Sequence, residues 1–231
     1  MSTAPLLVPD TPKGRRTRAR ILRAALASFA ARGYDATTLR DIAREAGCSL
    51  GLAYRYFAGK EDMVLAVYAD LAAEFDRRVS RLPAGPLGER FQATMRAKLR
   101  LLAPHRESLG GLAAAALTPG SAVGVLGRRA APVRERGIAA FRGLAAGSAN
   151  VPPRAAGPLA VVLFTIHLGL ILFWLHDRSP RQAWTREVIA FARRALDLAA
   201  PLLGLPPAAA GLARLGRSLE GVFGGRPSAA A

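Results

Sequence analysis

Residues 155–175 read AAGPLAVVLFTIHLGLILFWL, 21 consecutive positions without Asp, Glu, Lys or Arg. Such a run has to be hidden from water on all sides. As a helix it is long enough to cross a bilayer. It is equally able to form the central helix of a protein core, because a helix that is apolar all round is buried in something. Gly157 and Pro158 near its start and His167 near its middle weigh against lipid. The chain has 231 residues, 51% of them hydrophobic, enough for one sizeable domain or two small ones built around a packed core. Met1 to Asp10 has no cationic stretch leading into an apolar one and does not read as a secretory signal.

The rest of the chain has helical period and no strand alternation. Residues 1–14, with Pro5, Pro9 and Pro12, read as an arm without order. From about Thr17, apolar residues recur at Ile21, Leu22, Ala25, Leu26 and Phe29, and Gly33 ends that helix. Leu39, Ile42, Ala43 and Ala46 give a second helix, with Thr37 or Thr38 at its start and Asp41 three residues beyond Thr38. A third runs roughly over 50–57 and a long fourth begins near Lys60. Further helices are expected at about 86–102, 106–117, 121–147, 154–177 and 181–200, between the breakers Pro104, Pro119-Gly120, Pro152-Pro153 and Pro180. Residues 201–231, rich in Pro, Ala and Gly, read as a tail, in which Leu212, Leu215, Leu219 and Phe223 offer one last amphipathic turn or two. The expected class is all-α.

Lys and Arg number 33 against 16 Asp and Glu, a net charge of +17. That excess fits a polyanionic partner, and it also fits the Arg- and Ala-rich bias of the whole sequence. Placement says more than the total. Residues 1–60 hold eleven basic residues against four acidic ones. The run from Lys13 to Arg20 either tracks phosphates or is a solvated face. The single cysteine, Cys48, excludes an intramolecular disulfide and fits a reducing cytoplasm. It reads as a small apolar filler in a turn.

Thr37 to Lys60, TTLRDIAREAGCSLGLAYRYFAGK, describes two short helices joined at Ala46-Gly47-Cys48-Ser49, a helix-turn-helix. Gly47 suits the tight turn, Ala43 suits a close helix crossing, and Ser49 caps the second helix. A narrow, partly polar second helix can enter a DNA major groove. Phosphate contacts then give position and base contacts give specificity.

Residues 15–65 resemble the TetR family of bacterial transcriptional regulators. The resemblance rests on Ile21-Leu22-x-Ala24-Ala25-x-x-x-Phe29, Gly33-Tyr34, Thr37-Thr38, Ile42-Ala43, Ala46-Gly47-x-Ser49, Tyr54-x-Tyr56-Phe57 and Lys60-Glu61. It implies a three-helix DNA-binding domain over residues 15–60, then an all-helical effector-binding and dimerisation domain over 61–200. Thr37, Thr38, Tyr56 and Lys60 match phosphate-contacting positions. Ser49, Leu50, Gly51, Ala53, Tyr54 and Arg55 fall on or beside the recognition helix. Arg55 is a candidate for a bidentate contact to guanine or for one more phosphate contact. Tyr54 either touches DNA or packs on the first helix. The sequence departs from the pattern at Leu52, which lacks the usual hydroxyl, and at Ala53, smaller than the usual residue.

The resemblance further implies a homodimer through the helices at about 154–177 and 181–200, a palindromic double-stranded operator, and repression relieved by a small-molecule effector. It therefore reads residues 155–175 as a buried dimer helix and not as a membrane span, in a cytoplasmic protein. Met95, Leu99, Leu102, Leu112, Phe141, Phe164 and His167 are candidates for an apolar effector pocket, each with plain core packing as the alternative. His167 would orient a ligand group or satisfy a backbone carbonyl. No enzyme is expected. The histidines His105, His167 and His176 are scattered, no Cys/His set has metal spacing, and no phosphate loop or nucleophile elbow is present. No cofactor or metal is called for.

Overall fold

The computed structural model describes residues 11–223 and, among these, holds ten α-helices and no β-strand. Helix α1 (Pro12–Arg32) begins five residues before the expected start at Thr17, inside the segment read as an arm. Thr11 accepts a hydrogen bond from the Gly14 N–H at 3.0 Å, and Pro12 occupies the first turn, where its missing N–H is no loss. A proline read as part of an arm without order here starts a helix. Residues 1–10 of that expected arm lie outside the described residues. Helix α1 ends at Gly33, whose φ of 77° is in the range that favours glycine.

Helices α2 (Leu39–Glu45) and α3 (Leu50–Tyr56) follow, then α4 (Lys60–Val79), α5 (Leu87–Leu102), α6 (Arg106–Leu117), α7 (Ala131–Ala146), α8 (Ala156–His176), α9 (Ala183–Ala199) and α10 (Pro206–Val222). Two of these differ from expectation. The helix expected over 121–147 starts only at Ala131, because Pro132 has to lie in a first turn and Gly120, Gly124 and Gly127 punctuate the approach. The segment read as a tail carries α10, 17 residues long and started by Pro206 and Pro207.

The chain divides into two compact units. The first comprises the residues up to Asp70 together with His105–Val125, so it holds α1 to α3, the first half of α4, and α6. Ile21, Ala25, Phe29, Ile42, Ala53, Met63 and Val64 are buried in it. Helix α6 crosses α1 closely: a Cβ added at Gly111 would stand 2.2 Å from the carbonyl oxygen of Phe29.

The second unit comprises Leu71–Pro104 and the residues from Leu126 onward. In it α7 and α10 pack along α8, and α5 packs on α9. Phe75, Phe91, Met95, Phe141, Leu144, Leu159, Leu163, Phe164 and Phe223 belong to its core. Among the described residues α8, with the turn before it, is the helix long and apolar enough to cross a membrane. Nine of its 21 residues are buried, among them Leu159, Leu163, Phe164, His167 and Trp174, so lipid is not needed to cover that side. Gly216 lets α10 approach it, with the site of a Cβ 3.1 Å from Pro158.

The corner between α8 and α9 is fixed by Asp177. Its carboxylate accepts from the N–H and hydroxyl of both Ser179 and Thr185, at 2.6–2.9 Å. Burial works against the charge, and these hydrogen bonds outweigh it, holding the carboxyl far below its usual range. Beyond that corner α9 leaves Trp184, Val188, Phe191 and Leu198 exposed, and α8 leaves Ile166 and Phe173 exposed. Their spacing of three, four and seven residues makes a continuous apolar stripe on each helix.

Gly111→Ala forces the α1–α6 crossing apart and is expected to cost about 2–3 kcal/mol. Gly110→Ala, whose Cβ meets open space, leaves stability equal or raises it by up to ~1 kcal/mol. Urea unfolding followed by circular dichroism separates the two.

Candidate nucleic-acid interface and buried polar cluster

Helix α2 opens with a complete capping box. The Asp41 N–H donates to the Thr38 hydroxyl at 3.2 Å, while the Asp41 carboxylate accepts from the Thr38 N–H at 3.2 Å and from its hydroxyl at 2.6 Å. The Thr38 hydrogen bonds lower the Asp41 pKa. Gly47 turns the chain at φ 59°, the Cys48 N–H returns to the Ala43 carbonyl at 3.0 Å, and Ser49 caps α3 by accepting from the Leu52 N–H at 3.1 Å. Ala43 lies buried in the helix-turn-helix.

The rigid frame sorts the candidate residues. Ala53 is fully buried and Phe57 nearly so, which makes them the inner side of α3. Ala53 is therefore a packing residue and cannot meet a base, contrary to expectation; its small size is what seats the helix. Gly51, Tyr54 and Arg55 share the opposite face and are exposed, with open space around Gly51. Tyr54 is half exposed. Ser49 is exposed, while Leu50, Leu52 and Tyr56 are half-buried.

Two of the expected phosphate contacts are committed elsewhere. Thr37 is completely buried, its hydroxyl 2.7 Å from the Gly33 carbonyl and 3.2 Å from that of Ser28. Lys60 donates to the carbonyls of Tyr34, Thr37 and Asp35 at 2.8, 3.0 and 3.3 Å, and its ammonium stands 4.3 Å from the centre of the Tyr34 ring. An ammonium has three N–H groups, and all are used. Lys60 brackets the loop between α1 and α2 at the point where α4 starts. Thr38 remains exposed. Within the run from Lys13 to Arg20, Arg18 pairs with Asp70 at 3.1 Å and lies over the Phe57 ring; the exposed Arg40 on α2 was passed over in the sequence.

In the second unit the structure brings Phe141, Phe164 and His167 together, with ring centres 5.1–6.3 Å apart, and Met95 lies in the same core. Leu99 is packed at its margin, and Leu102 is buried. Leu112 is buried in the first unit, apart from the other six. The His167 Nδ1 lies 3.3 Å from the Phe164 carbonyl, which assigns the proton to that nitrogen and leaves Nε2 a buried atom without a partner. Burial first, and the nearby Lys98 charge second, push the His167 pKa down to about 3, so the ring is neutral.

Lys98 and Thr94 were not foreseen. Both lie on the buried stripe of α5 that runs Leu87, Phe91, Thr94, Met95, Lys98, Leu102. A lysine at a stripe position is the signal that was available. The Thr94 hydroxyl is buried without a partner. The Lys98 ammonium lies 4.4 Å from the Phe75 ring centre, and burial lowers its pKa to about 8.

A capped helix-turn-helix with one polar, open face on its second helix, followed by an all-helical body, defines the class of helical DNA readers. The family model "Bacterial regulatory proteins, tetR family" matches residues 21–67. The HTH-type transcriptional repressor KstR2 of Mycobacterium tuberculosis is 40% identical over 91 residues, which is 38% of this chain and 45% of that protein. This chain thus spans less than half the length of that relative. Solved structures agree over more of the fold. A putative TetR-family regulator from Syntrophomonas wolfei has a TM-score of 0.65 at 21% identity, over 80% of this chain and 96% of that one. A tetR-family regulator from Streptomyces coelicolor has a TM-score of 0.61 at 21% identity, over 93% and 91%. Residues 21–67 thus match the DNA-binding region of the TetR family, and the helical body behind them shares its fold with solved members of that family. The relatives it matches are named as regulators of transcription and not as enzymes.

Lys60→Met removes three hydrogen bonds to loop carbonyls and is expected to cost about 1–3 kcal/mol, read as a lower thermal midpoint. DNA affinity should fall only as far as the folded fraction does. An unchanged midpoint with lost DNA binding would return Lys60 to the phosphate-contacting role.

Proposed function

We propose that the protein is a sequence-specific repressor of transcription that binds a palindromic operator as a homodimer and is released by an apolar small molecule. The observation that carries the reading is the open face of α3, where Gly51, Tyr54 and Arg55 project from a helix whose other side is locked by Ala53 and Phe57. Gly51 admits a base pair or the DNA backbone closely, Tyr54 offers a hydroxyl and a ring, and Arg55 a two-pronged donor for guanine. Thr38, Ser49, Leu50 and Tyr56 flank that face and supply the remaining contacts.

One short helix reads too few base pairs to find a site in a genome. The apolar stripes on α8 and α9 provide the means of doubling it. Trp184, Val188, Phe191 and Leu198 from one copy, with Ile166 and Phe173, would pack on the same residues of a second as a four-helix bundle, with Gly169 allowing close approach. The uncovered side of α8 is then satisfied by protein, as befits a cytoplasmic protein. Two α3 helices spaced about one DNA turn apart, roughly 34 Å or a multiple of it, require a palindrome.

Release follows from linkage. An effector shifts the protein away from its operator only by the difference in its affinity for the two states. Helix α4 contributes its first half to the unit that carries α3 and its second half to the effector-binding unit, and is the covalent route for that coupling.

Selection of random duplexes at about physiological salt, followed by sequencing, should recover a palindrome. Arg55→Ala should weaken it by about 1–3 kcal/mol and relax one position in each half-site. Enrichment of no sequence, with binding that vanishes as salt rises, would leave a charge-driven nucleic-acid binder in place of a regulator.

A further inference from the structure

Among the described residues, the core of the second unit brings together three polar groups to which the chain gives no polar partner, two of them fully enclosed. The His167 Nε2 and the Thr94 hydroxyl are buried without a hydrogen-bond partner. Lys98 is buried and makes no hydrogen bond or ion pair with any described residue; its one contact of a polar kind is with the face of Phe75. Phe75 links the group. Its ring stacks on His167 at 5.9 Å with an interplanar angle of 14°, and the Lys98 ammonium sits over the same ring at 4.4 Å. Thr94 lies one helical turn from Lys98 on the same side of α5. Four helices, α4, α5, α7 and α8, thus send one side chain or more to a single place: Phe75, Thr94 with Lys98, Phe141, and Phe164 with His167.

A lone ammonium in an apolar core is costly, and proteins pair such charges when they serve structure only. The acids on the neighbouring turns of α4 are engaged elsewhere. Glu74 holds Arg77 and Arg78, and Asp76 faces Arg136. His167 is neutral and brings no negative charge. The cluster is therefore one positive charge and one hydroxyl donor without an acceptor, walled by Phe75, Phe141 and Phe164.

We propose that Lys98 and Thr94 are the polar end of the effector site, and that the effector is a small apolar acid whose carboxylate takes the Lys98 ammonium and the Thr94 hydroxyl. This rests on the reading of the protein as an effector-released repressor and adds the chemical class of the effector. The aromatic rings around it receive the apolar body of the molecule, and the Phe75 face keeps Lys98 aimed. A neutral molecule of the same shape gains the apolar contacts and leaves the ammonium unanswered. An amine meets like charge.

The test uses the full chain and matched probes: decanoate and 4-phenylbutyrate, against 1-decanol, 4-phenyl-1-butanol and decylamine. Binding is read by calorimetry and by the shift in thermal midpoint. The acids should bind and raise the midpoint, and the alcohols and the amine should bind about tenfold more weakly or not at all. Lys98→Met should lose about tenfold or more in affinity for the acids while its ligand-free midpoint equals or exceeds that of the parent, since an unpaired buried charge has been removed. Thr94→Val should weaken the acids less than Lys98→Met does.

Equal binding of acids and alcohols overturns the proposal, as does full acid binding by the folded Lys98→Met variant, or the absence of binding by either acid. Alcohols that bind and free the protein from its selected operator would leave the repressor reading intact and remove the acidic head group. Acid binding that depends on Lys98, in a protein that selects no duplex, would support this site and remove the repressor reading.

Discussion

The burial of α8 is the constraint on which the second unit depends. Twenty-one residues without a charge have to be covered, and the chain's own core covers only part of them: Leu159, Leu163, Phe164, His167, Leu170 and Trp174 face inward. Helices α7 and α10 supply that cover, and α10 exists as a helix because its apolar side has α8 to lie on. Ile166 and Phe173 are left facing out, and α9, aimed by the Asp177 corner, exposes Trp184, Phe191 and Leu198 as well. An apolar patch of that extent is rare on a lone soluble chain. In the proposed reading a second copy is the economical cover, and it would bring with it the paired reading heads that a palindromic operator requires.

The first unit is built on a different principle. Its short helices are held less by a large core than by polar groups used as fasteners: the Thr38–Asp41 box, the Ser49 cap, the Thr37 hydroxyl and the Lys60 bracket. Helices of seven residues are marginal by themselves. Capping and bracketing hold α2 and α3 in place, which leaves Tyr54 and Arg55 exposed and outside the packing of the fold.

Most helices were legible from the sequence because breakers bound them and apolar residues recur with helical spacing between. The expected start near 106 and the ends near 102 and 117 fall where the structure has them, since Pro104 and Pro119 leave little choice. Reading failed where proline and glycine carry the opposite meaning. Pro12, Pro132 and Pro206 stand in the first turns of helices, and in the segment read as a Pro/Ala/Gly-rich tail Gly216 marks a contact between helices. The DNA-contact residues were carried over by position from a family pattern, and a matched position does not give the direction of its side chain. Thr37, Ala53 and Lys60 have the composition of a DNA-binding surface yet turn inward or are already bonded, whereas Thr38, Tyr54 and Arg55 turn out. Lys98 was hidden for the converse reason: a basic residue is taken for surface unless the stripe of α5 is followed position by position.

The measurement that bears most directly on the account is sedimentation equilibrium of the chain beside the double variant Phe191→Glu, Leu198→Glu. Both positions are exposed in the single chain, so the substitutions leave its fold intact. The account predicts a dimer for the parent, a folded monomer for the variant, and loss of cooperative binding to a palindrome with the monomer. A parent that sediments as a monomer, or a variant that remains a dimer, would contradict it.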